Sequence, residues 1–317
     1  MTAEARSREG VILVTGAAGF AGGHLLAHLS GTGEILAWAR SAPPDDLAAL
    51  ARWQRVDLLD RASVRAALAE AQPSQVYHLA GRPHVAQSWE HSSDALRDNV
   101  LATHVLLDEL RHLGLGARVL LTGSATVYAP SDRPIDESGA LAMASPYAVS
   151  KLAQETLVLR APREDGLDVV VARAFNHTGA RQTPAFAAPS FARQIALIER
   201  GVVEPTIRVG NLDAARDFTD VRDVVRAYAL LMTHGKSSEV YNVASGTCHS
   251  MRSVLDLLVA QSRIRVTVEV DPARLRPSDT PVLMGDATKL RAATGWAPAI
   301  TFDRMLHDLL GYWRQAA

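Results

Sequence analysis

Two rhythms of apolar residues alternate along the first half of the chain. Runs of strand length, Val11–Thr15, Ile35–Ala39, Trp53–Val56, Gln75–Leu79, Arg118–Thr122 and Asp168–Ala172, are continuous enough for a sheet covered on both faces. Between them apolar residues return every three or four positions. His24–Leu29 places Leu25, Leu26 and Leu29 on one side, and Asp60 caps a helix that turns Val64, Ala67, Leu68 and Ala71 inward. Leu96–Leu113 predicts one long amphipathic helix with Leu96, Val100, Leu107 and Leu110 facing inward. Another helix opens at Ser145-Pro146, an N-cap followed by a first-turn proline, and carries Leu152, Leu157 and Leu159. Strands alternating with helices give parallel strands joined by right-handed crossovers, an α/β fold with a doubly wound sheet. His78, inside the fourth strand, reads as a packed core histidine.

The second half is more broken. A polar loop, residues 173–182, precedes a helix over Pro189–Arg200 with Phe191, Ile195 and Ile198 on one side. A short strand, Ile207–Gly210, and a polar stretch lead into a helix ending near Met232. Asp286, Lys289 and Trp296 read as a helix cap and packing groups, and the amphipathic stretch Phe302–Trp313 closes the core. This pattern predicts a large sheet domain over residues 1–172 plus about 214–244. Residues from about 173–213 and 245–317 form a smaller C-terminal α/β domain.

Composition narrows the partners. The 317 residues are 48% hydrophobic and 21% charged, with a formal net charge of -1, so no global field draws nucleic acid or an anionic membrane. No apolar run is long enough to span a bilayer, and residues 1–10 are charged and lack the apolar core of a signal peptide. The single cysteine, Cys248, excludes an internal disulfide framework and reads as a small core hydrophobe; together these features predict a cytoplasmic protein.

Candidate chemistry lies where the predicted strands end. Gly16-Ala17-Ala18-Gly19-Phe20-Ala21-Gly22 follows the first strand directly and opens the first helix. Backbone N–H groups and a helix N-terminus there make a phosphate cradle, the mark of a Rossmann-type dinucleotide domain. Beyond the second strand, Arg40-Ser41 stands where a carboxylate would hold the ribose 2′-OH of NAD, which suits a 2′-phosphate; a plain surface arginine is the alternative. Asp57-Leu58 ends the third strand, where adenine would lie. Leu79-Ala80-Gly81 ends the fourth with small residues that let a nicotinamide come close, and Asn99 lies on the long helix beyond. Ser124 follows the fifth strand. Tyr147 and Lys151, four apart, share a helix face. An ammonium about 4 Å from a phenol lowers the phenol pKa by at most roughly three units at an effective dielectric of ~20, towards useful acid/base range. Such a pair is also common on solvated helix faces.

The glycine string, Asp57, His78-Leu79-Ala80-Gly81, Ser124 and the Tyr147/Lys151 pair, in this order over nearly the whole chain, resemble the extended short-chain dehydrogenase/reductase superfamily. The resemblance implies that Tyr147 is the acid/base, that Lys151 binds the nicotinamide ribose, and that Ser124 bonds the reacting oxygen. It extends cofactor contact to Gly16, Gly19, Phe20, Ala21, Arg40, Asp57, Leu58, Leu79, Ala80, Gly81, Asn99 and His177. The segments at 175–182, 209–225 and 274–279 are similar to the GDP-mannose branch, which implies a GDP-sugar site at Asn176, Asn211, Arg216 and Arg276, with Arg193 and Asp279 beside them. Solvated surface arginines are the plain alternative for Arg193, Arg216 and Arg276. Members of the superfamily often dimerise through a four-helix bundle, here built from Leu96–Leu113 and Tyr147–Arg160.

Within that branch the reaction turns on position 126. Dehydratases carry a glutamate two residues after the Ser/Thr; this chain has Thr126, which cannot ionise. The wording around Ser124 resembles UDP-galactose 4-epimerases, but those have an acid after the second strand where this chain has Arg40. No metal site is expected. The resemblance therefore implies NADPH-dependent reduction, with NADH as second donor, of GDP-4-dehydro-6-deoxy-D-mannose to GDP-D-rhamnose. An NAD-dependent 4-epimerase, a GDP-mannose 4,6-dehydratase and a non-catalytic NADP sensor are the alternatives.

Overall fold

A computed structural model describes residues 10–164, 166–275 and 280–317. In chain order the first elements are β1 (Ile12–Thr15), α1 (Phe20–Leu29), β2 (Ile35–Ala39), β3 (Arg52–Arg55), α2 (Arg61–Ala71), β4 (Gln75–His78), α3 (Val85–Glu90) and α4 (Ser92–Ala95). A π-turn over Leu96–Leu101 leads into α5 (Ala102–His112), β5 (Arg118–Ser124), α6 (Pro146–Glu164) and β6 (Asp168–Ala174). There follow β7 (Asn176–Thr178), α7 (Ala187–Glu199), β8 (Thr206–Val209), β9 (Ala215–Asp220), α8 (Val221–His234) and β10 (Glu239–Val243). The chain ends with β11 (Cys248–Ser250), α9 (Met251–Ala260), β12 (Thr267–Val270), β13 (Val282–Leu283), α10 (Thr288–Thr294) and α11 (Phe302–Ala316).

Seven parallel strands form the main sheet in the order β10-β6-β5-β4-β1-β2-β3. Side chains on a strand point alternately to opposite faces. On β1, Ile12 and Val14 enter the core shared with Leu25 and Leu26 of α1 and Val224 and Leu231 of α8. Leu13 enters the opposite core with Leu68 of α2, Leu106 and Leu110 of α5 and Val158 of α6. The doubly wound expectation holds. A third core joins α7, α9 and α11 through Phe191, Ile195, Val254, Leu258, Leu306 and Leu309. Small sheets flank it: β11-β9-β13, with β7 against β9, and β12-β8. Among the described residues no helix is long and apolar enough to cross a membrane.

Several boundaries differ from the sequence reading. The first helix begins at Phe20 rather than His24, so the last glycine of the string, Gly22, is already helical. A Cβ at Gly22 would come within 2.3 Å of Gly16 O, which is why only glycine fits that turn. The long helix expected over Leu96–Leu113 is not one helix. Asp98 and Asn99 are buried there, and Leu96 is 44% exposed rather than inward. The cause is polar anchoring. Asp98 accepts from Arg82 and Arg97 at 2.7 and 2.9 Å, and Asn99 accepts the Arg82 backbone N–H at 2.8 Å. Buried polar groups must keep their partners, and the wider π-turn absorbs the change of register. Asp60 caps α2 as expected, accepting from the N–H groups of Ala62 and Ser63. The loop at 173–182 contains β7, and Cys248 is half-buried rather than in the core.

Candidate active site

β1 and β4 are adjacent, but the chain leaves them in opposite directions. The crevice at their carboxyl ends is where open α/β sheets take ligands. A cavity of about 680 Å³ lies there, lined from the ends of β1 to β6. Its floor is backbone where the cradle was expected. Gly16 has φ +68°, and a Cβ there would sit 2.7 Å from Ala80 N; Gly81 likewise leaves no room beside Asn99 Oδ1. Glycine is required at both positions by the close approach of neighbouring chain, and Gly16, Gly19 and Gly22 line the cavity next to the N-terminus of α1, so the residues fit the phosphates of a dinucleotide.

The structure brings sixteen of the sequence-read residues to this cavity: Gly16, Gly19, Phe20, Ala21, Arg40, Asp57, Leu58, Leu79, Ala80, Gly81, Asn99, Ser124, Tyr147, Lys151, Asn176 and His177. Arg40 reaches over the rim with its side chain 67% exposed and Nη1 4.0 Å from Asp98 Oδ2. Asn99 is fully buried, and its amide is occupied on both sides, accepting from Arg82 N–H and donating to Ser150 Oγ at 2.8 Å. It braces the cavity wall. His177 donates from Nδ1 to Phe175 O at 3.0 Å and stacks on Phe20 with ring centroids 5.8 Å apart; burial pushes its pKa down, so it is neutral near pH 7.

At the β5 end, Ser124 and Thr126 hydroxyls lie 2.9 Å apart, and the Thr126 N–H points to Ser124 Oγ at 3.3 Å. Tyr147 stands on the first turn of α6, whose start is capped by Ser145 through the Ala148 N–H. The expected lowering of the Tyr147 pKa is not found. Burial raises it, opposed by a hydrogen bond with Ser124. The ammonium partner is engaged elsewhere: Lys151 Nζ donates to Thr122 O and to Gln154 Oε1, both at 2.6 Å. Burial instead lowers the Lys151 pKa to about 8, with the Glu155 carboxylate opposing. His78 is a core residue as read, between the hydroxyls of Thr15 and Thr103.

The other substrate residues do not line the cavity. Arg193 is exposed, with its guanidinium 5.9 Å above the Trp313 ring. Asn211 is exposed and its Oδ1 accepts the Asp213 N–H. Arg216 donates to the carbonyls of Ala215 and Thr280 at 2.8 and 2.7 Å, which turns its guanidinium toward β13. Arg193, Asn211 and Arg216, which the resemblance assigns to the sugar nucleotide, therefore stand outside this cavity. Arg276 and Asp279 lie outside the described residues. Sequence reading missed Arg82, Arg181, Phe186 and Tyr228, all of which line the cavity. Arg181 stands in the polar loop already singled out; no sequence motif marks Phe186 or Tyr228.

The sequence model of the family described as GDP-mannose 4,6 dehydratase matches residues 13–309. A GDP-6-deoxy-D-mannose reductase from Pseudomonas aeruginosa is 36% identical over 305 residues, 95% of this chain and 96% of that one. The structure of RMD from Pseudomonas aeruginosa complexed with NADPH superposes with a TM-score of 0.87 at 34% identity, over 97% of this chain and 100% of that one. A Thermus thermophilus UDP-glucose 4-epimerase in complex with NAD gives 0.86 at 28% identity, over 97% and 100%. Motifs, sheet order and a match over nearly the full length agree: the chain belongs to the GDP-mannose 4,6-dehydratase family.

Proposed function

We propose that this protein reduces the 4-keto group of GDP-4-dehydro-6-deoxy-D-mannose, giving GDP-D-rhamnose. The observation that carries the reading is the set of side chains around the β5 end. Ser124, Tyr147 and Lys151 line one cavity, and the neighbour that a dehydratase would need ionisable is Thr126. NADPH, when bound, supplies the hydride. Reduction of a ketone develops negative charge on its oxygen. The Ser124 hydroxyl stabilises that charge by hydrogen bonding, and the Tyr147 phenol delivers the proton. A phenol whose pKa is raised by burial is protonated at neutral pH, the state an acid needs. Lys151 gives fixed positive charge behind it. Arg40 and Ser41 take the 2′-phosphate, and the backbone from Gly16 to Gly22 takes the pyrophosphate.

Asn176 borders the sugar in this reading. By family resemblance the nucleotide falls to Asn211, Arg216 and Arg276. The dinucleotide half comprises residues 1–172 and about 214–244, and the remainder forms the substrate half. The relative that is 36% identical, a GDP-6-deoxy-D-mannose reductase, supports reduction over dehydration or epimerisation. We also propose a cytoplasmic homodimer joined through a four-helix bundle. Leu96, Leu101 and Val149, at 44%, 49% and 39% exposure, supply apolar surface on the helices concerned, and Trp89 on the neighbouring α3 is 58% exposed. The deciding experiment is incubation with the 4-keto sugar nucleotide and NADPH, with the product sugar identified by NMR. GDP-D-rhamnose supports the reading. NADPH binding without turnover favours a sensor, and NAD retained through purification favours the epimerase.

A further inference from the structure

Behind Lys151 runs a buried line of polar groups. Lys151 Nζ donates to Gln154 Oε1 at 2.6 Å, and Gln154 Nε2 donates to Thr103 Oγ1 at 2.7 Å. Thr103 Oγ1 donates to Asn99 O at 2.6 Å and lies 2.8 Å from His78 Nε2. His78 Nδ1 lies 2.8 Å from Thr15 Oγ1, which accepts from the Ala80 N–H at 3.3 Å. Gln154, Thr103, His78 and Thr15 are all at most 1% exposed.

Counting protons fixes each direction along this line. A hydroxyl has one proton and two lone pairs. The Thr103 proton goes to Asn99 O, which can only accept, so Thr103 accepts from both Gln154 and His78. His78 then carries its proton on Nε2 and accepts from Thr15 at Nδ1. Burial pushes the His78 pKa down to about 3, so the ring stays neutral and the arrangement persists across the working pH range. With its amide nitrogen committed to Thr103, Gln154 can present only its carbonyl to Lys151.

We propose that Gln154, held in this orientation by Thr103 and His78, is a positioning residue that keeps Lys151 in its charged form and aims it at the cavity. Thr122 O and Gln154 Oε1 take two of the three ammonium protons, which leaves one N–H for the site. The ionisable groups around the ammonium are Tyr147 and Glu155 of α6, His78 of β4 and Arg173 of β6. Glu155 favours the charge, but its carboxylate accepts from Arg173 Nε at 2.9 Å; Tyr147 and His78 are neutral at pH 7. Glu155 thus opposes desolvation from a carboxylate shared with Arg173, while the direct hydrogen-bond acceptors of the ammonium are two carbonyls, one of them chosen by the amide of Gln154. The proposal rests on reading Lys151 as the partner of Tyr147.

The test needs neither substrate nor cofactor. Only three of the 33 Lys and Arg residues are lysines: Lys151, Lys236 and Lys289. A nitrogen-detected NMR titration of the ligand-free, lysine-labelled protein, assigned with Lys236→Arg and Lys289→Arg, follows Lys151 directly. Its midpoint is expected near 8, below the other two. Gln154→Met removes an acceptor of the charged form and lowers that midpoint by about one unit. Gln154→Glu raises it. Thr103→Val, which frees the amide, lowers it, and Thr103→Ser restores it. In turnover assays the alkaline limb of kcat moves with the lysine. A midpoint unmoved in both Gln154 variants, each with wild-type circular dichroism, overturns the proposal. A shifted midpoint in a protein that reduces no sugar nucleotide supports it and defeats only the reductase reading.

Discussion

Arg40→Gln removes one positive charge from the rim of the cavity and changes little else, because the side chain is largely in solvent. The phosphate it would face carries between one and two negative charges near neutral pH. At about 4 Å, a pair of unit charges is worth ~1 kcal/mol in water and ~4 kcal/mol at an effective dielectric of ~20. An exposed guanidinium belongs near the lower figure. Asp98 also pulls on it from 4.0 Å, although Arg82 and Arg97 already hold that carboxylate. A loss of roughly 1–2 kcal/mol follows, a rise of about ten-fold in Kd for NADPH. NADH, without the 2′-phosphate, binds as before. Fluorescence titration of both cofactors measures the two constants. Repeating it at high salt should erase most of the wild-type preference, because an exposed pair is screened. If Arg40→Gln binds NADPH as tightly as the wild type, or loses NADH equally, the assignment of Arg40 to the 2′-phosphate is wrong.

Tyr147→Phe keeps the ring and removes the acid; turnover should fall by at least about 10²-fold with NADPH Kd unchanged, and near-normal turnover would reject Tyr147 as the proton donor. Gly16→Ala forces a side chain into φ +68° and against Ala80 backbone. NADPH affinity should drop more than ten-fold, with the unfolding midpoint also lowered by strain of at least ~1 kcal/mol, and unchanged binding would show that the turn is not the cradle. Arg173→Met leaves the Glu155 carboxylate buried without its partner, the two side chains being 6% and 3% exposed in the pair. Urea unfolding should show a loss of roughly 3–5 kcal/mol, and a loss below about 1 kcal/mol would mean that Glu155 protonates or relaxes at little cost.

What could be read beforehand was chemistry tied to the ends of strands. Gly16, Arg40, Asp57, Ala80 and Ser124 reach the cavity because a parallel sheet puts all its carboxyl ends on one edge, so strand boundaries alone place them. Tyr147 and Lys151 followed from helix spacing. Residues whose position depends on what their side chains bind were not legible in this way. Asn99 was read as a cofactor contact; it does line the cavity, but that its amide also ties Arg82 N–H to Ser150 could not be read from spacing. That Arg216 donates to Thr280 O, in the chain before β13, was likewise invisible in the sequence. Periodicity counted Leu96 as inward because it weighs apolar spacing, whereas the buried carboxylate of Asp98 set the register there.

The same distinction explains why the Tyr147/Lys151 pair was read correctly in place and wrongly in electrostatics. Spacing of four residues brings two side chains to one face, but the charge one feels from the other depends on the remaining neighbours. Here the ammonium turns to carbonyls behind it, and the phenol turns to Ser124. Burial then acts on each separately, raising the phenol and lowering the amine. For a reductase this is a workable division. The proton donor remains protonated at neutral pH, and the amine, with a pKa of about 8, remains charged there. Positive charge is thus available when the ketone oxygen becomes negative, without ionising the phenol beforehand.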